Sequence, residues 1–118
     1  MHLEPSLITY FFLNTRAPPF DDLRARHALN LAVDRGAAVK LLSGRRLAVP
    51  ACQLLPPGMP GYRPYCPYTV HPNPAGTWIA PDLARARALV RASGTKGMRV
   101  TVWQSDLEPS WCCVPEVA

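Results

Sequence analysis

The hydrophobic and polar positions along the chain predict a strand near each end. Residues 7–13 form a run rich in aromatic and β-branched side chains, typical of a strand buried on both faces. Residues 14–15 end this run, and the prolines that follow prevent its continuation. Val100 and Val102 share one face of residues 98–103, and this alternation predicts a second strand.

Helical periodicity lies between the two predicted strands. Asp21 or Asp22 opens a first helix, because a carboxylate there accepts hydrogen bonds from free backbone N–H groups. Its apolar stripe has the spacing i, i+3, i+4, i+7 and consists of Ala25, Ala28, Leu29 and Ala32. Gly36 is expected to break or bend the helix, and residues 37–42 to form a second, short helix that ends at residues 43–44.

A third helix is predicted in the segment between Pro81 and Gly94. Pro81 is expected at its first helical position, and Gly94 is expected just after its end. The long loop over residues 45–79 shows no sustained period. The order strand, helix, short helix, loop, helix, strand predicts an α/β fold, and two strands alone make so thin a sheet that further strands are expected from sequence outside this chain.

Composition and charge narrow the class of protein. The chain has 118 residues, enough for one small domain, and most of its 14 prolines lie between Pro50 and Pro81 in the loop. The net charge of +5 raises the possibility of an anionic partner such as nucleic acid. The arginines are scattered, however, so solvated helix faces explain the charge more simply, and no nucleic-acid partner is predicted.

The four cysteines allow more than one interpretation. A disulfide between Cys52 and Cys66 would staple the proline-rich loop and stabilise the fold by roughly 3 kcal/mol in an oxidising compartment. Free thiols and half of a metal site are the alternatives, but the paired spacing of structural zinc ligands is missing. Cys112 and Cys113 are adjacent, which disfavours a bridge between them. We favour the Cys52–Cys66 disulfide and predict no metal or cofactor.

Three stretches in order resemble a known family. The first is residues 10–15 with 18–22, and the second is residues 24–35, where an arginine precedes an A-L-x-x-A-x-D-R core. The third is the loop at residues 54–62 with the helix and strand that follow it. Together, over residues 7–104, they resemble the peptide- and nickel-type solute-binding proteins of ABC transporters (family 5), and the cysteine-flanked loop resembles the actinobacterial branch.

The resemblance implies a fragment of a type II periplasmic-binding-protein-like fold. Residues 1–106 would form the opening portion of the second lobe, and residues 107–118 a divergent tail. Members of the family bind peptides, sometimes nickel complexes or sugars, and close on them by a hinge. They are not enzymes and need no cofactor. They deliver the solute to the permease and ATPase subunits of an importer, and the full-length protein would be extracytoplasmic and membrane-anchored as a lipoprotein.

Ligand contacts are expected at the ends of the two predicted strands. Trp103, Gln104 and Ser105 end the second strand, and ligands of open α/β sheets lie beyond the carboxyl ends of strands. Tyr10 and Asn14 flank the first strand, near the crossover between lobes that the resemblance implies. The alternatives are that Trp103 packs in the core and that Asn14 satisfies a backbone turn.

Other polar side chains are expected to be structural. Arg26 is predicted to pair with a neighbouring carboxylate and stabilise the lobe. The pair Asp21-Asp22 is better explained as a helix cap than as a catalytic pair, and no catalytic residue is predicted. Packing across the loop is favoured over a peptide groove for the three tyrosines Tyr62, Tyr65 and Tyr68.

Three other interpretations of the chain stay open. The first residues lack a basic stretch and a small-residue cleavage site, which favours a ligand-sensing module within a larger regulatory protein. Residues 107–118 lack a helical stripe, which favours a truncated, non-functional product. A zinc-binding or redox protein is a further alternative.

Overall fold

The computed structural model describes residues 8–42 and 48–103 of the chain. Within these ranges it contains three helices, α1 (Leu23–Ala32), α2 (Arg35–Leu42) and α3 (Leu83–Ser93). Helices α1 and α3 pack directly against each other. The N–H of Asp82, just before α3, donates to the carbonyl of Leu31 at 2.9 Å and fixes the start of α3 at the end of α1.

The contact between α1 and α3 is built mostly from small side chains. Helix α1 buries Ala25, Ala28 and Leu31, and α3 buries Ala86. The buried alanines leave room for the two helices to pack closely, because each side chain is a single methyl group. The predicted stripe was therefore right at its first two positions, but Leu31 is the buried leucine, and Leu29 is 37 % exposed.

Each helix begins with an aspartate cap. The carboxylate of Asp22 accepts from the N–H of Arg24 at 2.7 Å, and that of Asp82 accepts from the N–H of Arg85 at 3.0 Å. For α2 the cap is Asp34, which accepts from the N–H of Ala37 at 2.9 Å. These bonds satisfy amide groups that have no partner inside the helix, and they place the carboxylates at the positive ends of the helix dipoles.

The break between α1 and α2 lies earlier than predicted. Val33 has an extended backbone, with φ −65° and ψ 120°, so α1 ends there and Asp34 starts the next helix. Gly36 lies inside the first turn of α2 instead of breaking the chain. A Cβ added at Gly36 would come within 3.1 Å of Cζ3 of Trp78, so the glycine allows close packing against that indole.

The limits of α3 confirm one predicted end and correct the other. Gly94 follows the helix in the left-handed conformation, with φ 68°, as predicted for a helix-terminating glycine. At the start, Asp82 is the cap and Leu83 the first helical residue, so Pro81 lies before the cap and not at the first helical position. Because the side chain of Asp82 caps a free backbone amide of the first turn, Asp82 is the cap residue and α3 begins after it.

The structure does not confirm the two predicted strands. Residues 8–13 and 98–103 carry no strand, and the expected burial of the first on both faces is wrong, since Phe11 is 64 % and Phe12 88 % exposed. A strand needs a neighbour that pairs with its backbone, and the described residues provide none for either segment. The α/β class therefore remains unconfirmed. The expected helix end at residues 43–44 and the tail lie outside the described residues.

The long loop is closed first by a disulfide. Cys52 and Cys66 are bonded, with their Cα atoms 5.0 Å apart, and Cys66 is buried. We call residues 52–66 the disulfide ring. Two successive turns fold it, in which the N–H of Met59 donates to Pro56 and that of Tyr62 donates to Met59. Gly58 and Gly61 have φ of 87° and 86°, the backbone that the third position of a type II turn requires.

A buried hydroxyl closes the loop a second time. The side chain of Thr69 is completely buried; its Oγ1 donates to the carbonyl of Ala80 at 3.0 Å and accepts from the N–H of Ile79 at 2.8 Å and of Ala80 at 3.1 Å. The N–H of Val70 also donates to the carbonyl of Ala80. We call these four residues the Thr69 clasp. The clasp joins the two ends of residues 69–80 and thereby positions the residues that precede α3.

Candidate functional site

The two predicted contacts near the first segment have local structural partners. The ring of Tyr10 is 52 % exposed and meets the ring of Phe12 edge to face, with centroids 5.0 Å apart. Oδ1 of Asn14 accepts from the N–H of Arg16 at 3.0 Å, and its carbonyl accepts from Ala17 at 3.4 Å. Asn14 therefore has the turn-forming role given as the alternative, while its ligand-binding role stays a prediction.

The second group of predicted contacts is described only in part. Trp103 is 90 % exposed, so its predicted alternative as a core residue does not hold within the described residues. Gln104 and Ser105 lie outside those residues. An indole this exposed is available to a ligand or to another part of a larger protein.

One depression in the described part of the chain lies between the start of α1 and the end of α3. It is an open groove of about 400 Å³, and it contains none of the predicted contacts. The groove is lined by Pro18, Pro19, Asp21, Asp22, Ser93, Gly94, Thr95 and Met98. The start of α1 brings the carboxylates of Asp21 and Asp22 to this groove, and the end of α3 brings backbone carbonyl groups.

The polar groups of the groove already bind each other. Oδ2 of Asp22 lies 2.6 Å from Nη2 of Arg24 in an ion pair. The hydrogen bonds from the Arg24 side chain and backbone lower the pKa of Asp22 to about 2, so this carboxyl stays ionised above that pH. Oγ of Ser93 lies 2.8 Å from Oγ1 of Thr95. The groove thus holds no hydroxyl–base pair of the kind that nucleophilic catalysis needs.

A second depression lies beside α2 and is apolar. It encloses about 290 Å³ and is lined by Gly36, Val39, Ala48, Val49 and Pro50. None of the described residues that line it is ionisable. Its lining suits packing against another apolar surface better than it suits a charged solute.

The arginines of the α1–α2 region hold the chain together through carbonyl groups. Nη1 of Arg26 donates to the carbonyls of Phe20 at 2.7 Å and Asp21 at 3.1 Å, so its partner is backbone and not the carboxylate that we predicted. Nη1 of Arg35 donates to the carbonyl of Tyr68 at 3.0 Å. Burial lowers the pKa of Arg35. Arg35 thereby ties the chain just after the disulfide ring to α2, a structural role.

The tyrosines of the loop differ in their surroundings. The ring of Tyr68 lies 5.4 Å from that of His27 on α1, which is packing across the loop as favoured above. Tyr65 is 61 % exposed and its backbone lies beside Gly76. A Cβ at Gly76 would come within 2.5 Å of the backbone nitrogen of Tyr65. The glycine therefore allows residues 69–80 to contact the backbone of the disulfide ring.

Residues 8–42 and 48–103 contain neither a metal-ligating cluster nor a membrane-spanning helix. No group of three or more His, Cys, Asp or Glu side chains there could hold a metal ion. None of the helices in that part of the chain is long and apolar enough to cross a membrane.

Comparison with known proteins gives a consistent family match. Residues 3–109 match the model of "Bacterial extracellular solute-binding proteins, family 5 Middle". The chain is 32 % identical over 103 residues to the Glutathione-binding protein GsiB of Salmonella typhimurium, covering 86 % of this chain and 18 % of that protein. The Escherichia coli protein of the same name is 31 % identical with the same coverage. The chain spans under a fifth of these relatives, and no solved structure matches it.

Proposed function

Because this chain belongs to the bacterial extracellular solute-binding proteins of family 5, we propose that it supplies the opening portion of the second lobe of a receptor for an ABC importer. The observation that carries the proposal is the match of residues 3–109, nearly the whole chain, to the middle region of that family. The receptor captures its solute outside the cytoplasm and delivers it to the permease and ATPase subunits. This role needs binding and release, with no covalent step.

The proposed solute is a short peptide. Two relatives are named for binding glutathione, which is itself a tripeptide. The groove between α1 and α3 is open, and the described lining of the groove beside α2 is apolar, so neither forms a closed peptide site within the described residues. A closed site therefore requires a second lobe wall, consistent with a chain that spans 18 % of its relatives.

We propose that the cleft wall of this lobe includes Tyr10, Asn14, Trp103, Gln104 and Ser105. The support from the described residues is the exposure of Tyr10 and Trp103, two aromatic side chains with faces available for packing against a peptide. The disulfide fits an oxidising, extracytoplasmic compartment, because such bonds rarely persist in the cytosol. Anchoring of the complete receptor in the membrane is part of the same proposal.

A chimeric receptor tests the proposal. Residues 3–109 replace the matching segment of the Escherichia coli Glutathione-binding protein GsiB, and calorimetry measures binding of glutathione and of short peptides. We expect the chimera to bind one of these solutes and the isolated chain to bind none. A folded chimera that binds none of them would refute the solute-binding role, and micromolar peptide binding by the isolated chain would refute the incomplete site.

Point variants in the chimera test the cleft wall. Trp103→Ala is expected to weaken binding by about tenfold or more, since stacking of one aromatic side chain contributes on the order of 1–2 kcal/mol. Thr101→Ala, two residues away and also exposed, is the matched control. Equal affinity in the two variants would remove Trp103 from the cleft wall while leaving the receptor role intact.

A further inference from the structure

The outer surface of α3 is cationic. At 100° per residue, three alanines one turn apart form the middle of the surface that points away from α1, and arginines flank them on both sides. All six side chains are exposed. We call this surface the arginine face; it consists of Ala84, Arg85, Arg87, Ala88, Arg91 and Ala92.

No carboxylate of the described residues forms an ion pair with the arginine face, although Asp82 at the start of α3 accepts from the backbone N–H of Arg85. The four carboxylates lie at helix starts, where they cap backbone amides, and they are Asp21, Asp22, Asp34 and Asp82. Among the described residues, the ion pair present joins Asp22 to Arg24, not to the arginine face. Arg26 and Arg35 are likewise bonded to carbonyl groups. The arginine face is therefore the part of the described helices where cations gather without a bonded anion.

We propose that the arginine face rests on the anionic phospholipid headgroups of a membrane surface. A guanidinium group binds phosphate through two parallel N–H bonds, and the alanines let the helix lie close to a flat layer of headgroups. The six residues include no tryptophan or tyrosine, which are the aromatic anchors that accompany arginine at the energetic centre of many protein–protein interfaces. This interaction goes beyond solute binding, because it orients the lobe on the membrane.

Sedimentation with lipid vesicles tests this interaction with the full 118-residue chain. The vesicles contain about one third phosphatidylglycerol in phosphatidylcholine, so that each nearby arginine adds to the attraction. One variant neutralises the face, by Arg85→Gln, Arg87→Gln and Arg91→Gln. The control removes the same charge from exposed side chains elsewhere, by Arg16→Gln, Lys40→Gln and Arg63→Gln.

We expect the face variant to lose on the order of a hundredfold in partition to the anionic vesicles, and the control to lose far less. Binding of the unchanged chain should also fall between about 0.1 M and about 0.5 M salt, because exposed charges are screened. Circular dichroism checks that each variant keeps its helices. If the triple variant does not, the double variant of Arg87 and Arg91 decides, with an expected loss of roughly thirtyfold.

Three outcomes would overturn the proposal. The first is sedimentation of the unchanged chain that is no greater with phosphatidylglycerol than with phosphatidylcholine alone. The second is an equal loss in the face variant and the control, which would mean that net charge attracts the chain to lipid without a defined face. The third is face-dependent binding to an acidic protein or to DNA in the same salt with none to lipid.

Discussion

Replacing Thr69 with valine removes one buried hydroxyl and keeps the shape of the side chain. In the structure, Oγ1 of Thr69 is the acceptor for the amides of Ile79 and Ala80, and the side chain is completely buried. Valine offers no acceptor, so both amides lose a bond in a place where little water can replace it. The carbonyl of Ala80 keeps a partner, because the N–H of Val70 also donates to it.

The expected cost follows from this count. Leaving one buried donor without a partner costs about 1–3 kcal/mol, so two donors lower the free energy of unfolding by about 2–4 kcal/mol after partial relaxation. Urea unfolding followed by helical circular dichroism measures the change. Thr69→Ser keeps the hydroxyl and should lose only about 1 kcal/mol from the missing methyl group.

The matched control is Thr77→Val, in the same segment. Thr77 is exposed, and no bond of its hydroxyl is found among the described residues, so its replacement should change stability by less than about 0.5 kcal/mol. Equal stabilities of Thr69→Val and Thr77→Val would refute the role assigned to the clasp. So would a Thr69→Ser variant as unstable as Thr69→Val, since that would assign the effect to packing and not to the hydroxyl.

Three further changes test other parts of the fold by the same unfolding measurement. Gly76→Ala should destabilise more than Gly58→Ala: both have positive φ, but only at Gly76 would the new Cβ meet backbone, and equal losses would contradict this. Asp22→Asn should flatten the pH dependence between about pH 4 and pH 2, because the bonds to Arg24 hold the pKa of Asp22 at about 2 against an ordinary 3.8, so its stabilising effect is present above pH 4 and lost on acidification; an unchanged profile would contradict the ion pair with Arg24. Cys52→Ser with Cys66→Ser should lower the free energy of unfolding by about 3 kcal/mol, and an unchanged value would show that the staple adds nothing.

Local signals in the sequence were enough to locate the three helices, but not all of their ends. Asp22, Asp82 and Gly94 act within one or two turns of their own position, so a cap or a terminating glycine can be recognised without knowing the rest of the fold. Gly36 misled the prediction because a glycine both breaks helices and admits close neighbours. Only the position of Trp78, far away in sequence, shows that the second reason applies.

Contacts between distant residues could not be predicted in the same way. Nothing around Thr69 separates it from any other loop threonine, and its partners lie ten and eleven residues later. Arg35 reaches Tyr68 across 33 residues. The two predicted strands are not confirmed for a related reason. Their β-type composition is a local signal, whereas strand formation depends on pairing with a neighbouring strand that the described residues do not contain.

The candidate cleft shows the same limit. The type of residue and its place after a predicted strand suggested Trp103, and its side chain is indeed exposed. Asn14 was suggested by its place beside the first predicted strand, near the crossover between lobes that the resemblance implies, yet its oxygen is occupied by the amide of Arg16. Whether a polar side chain is free for a ligand depends on the local turn, which composition does not reveal.

The two closures of the loop have a consequence for how such a lobe can diversify. The disulfide ring starts and ends at one bond, so insertions or replacements between Cys52 and Pro64 leave the positions of α1 and α3 unchanged. Residues 64–65 and 69–80 have no such freedom, because the backbone of Pro64 and Tyr65 lies against Gly76 and Thr69 binds the amides of Ile79 and Ala80. Natural variants and laboratory libraries should therefore accumulate differences inside the ring, where a new surface can evolve without disturbing the helices beneath it.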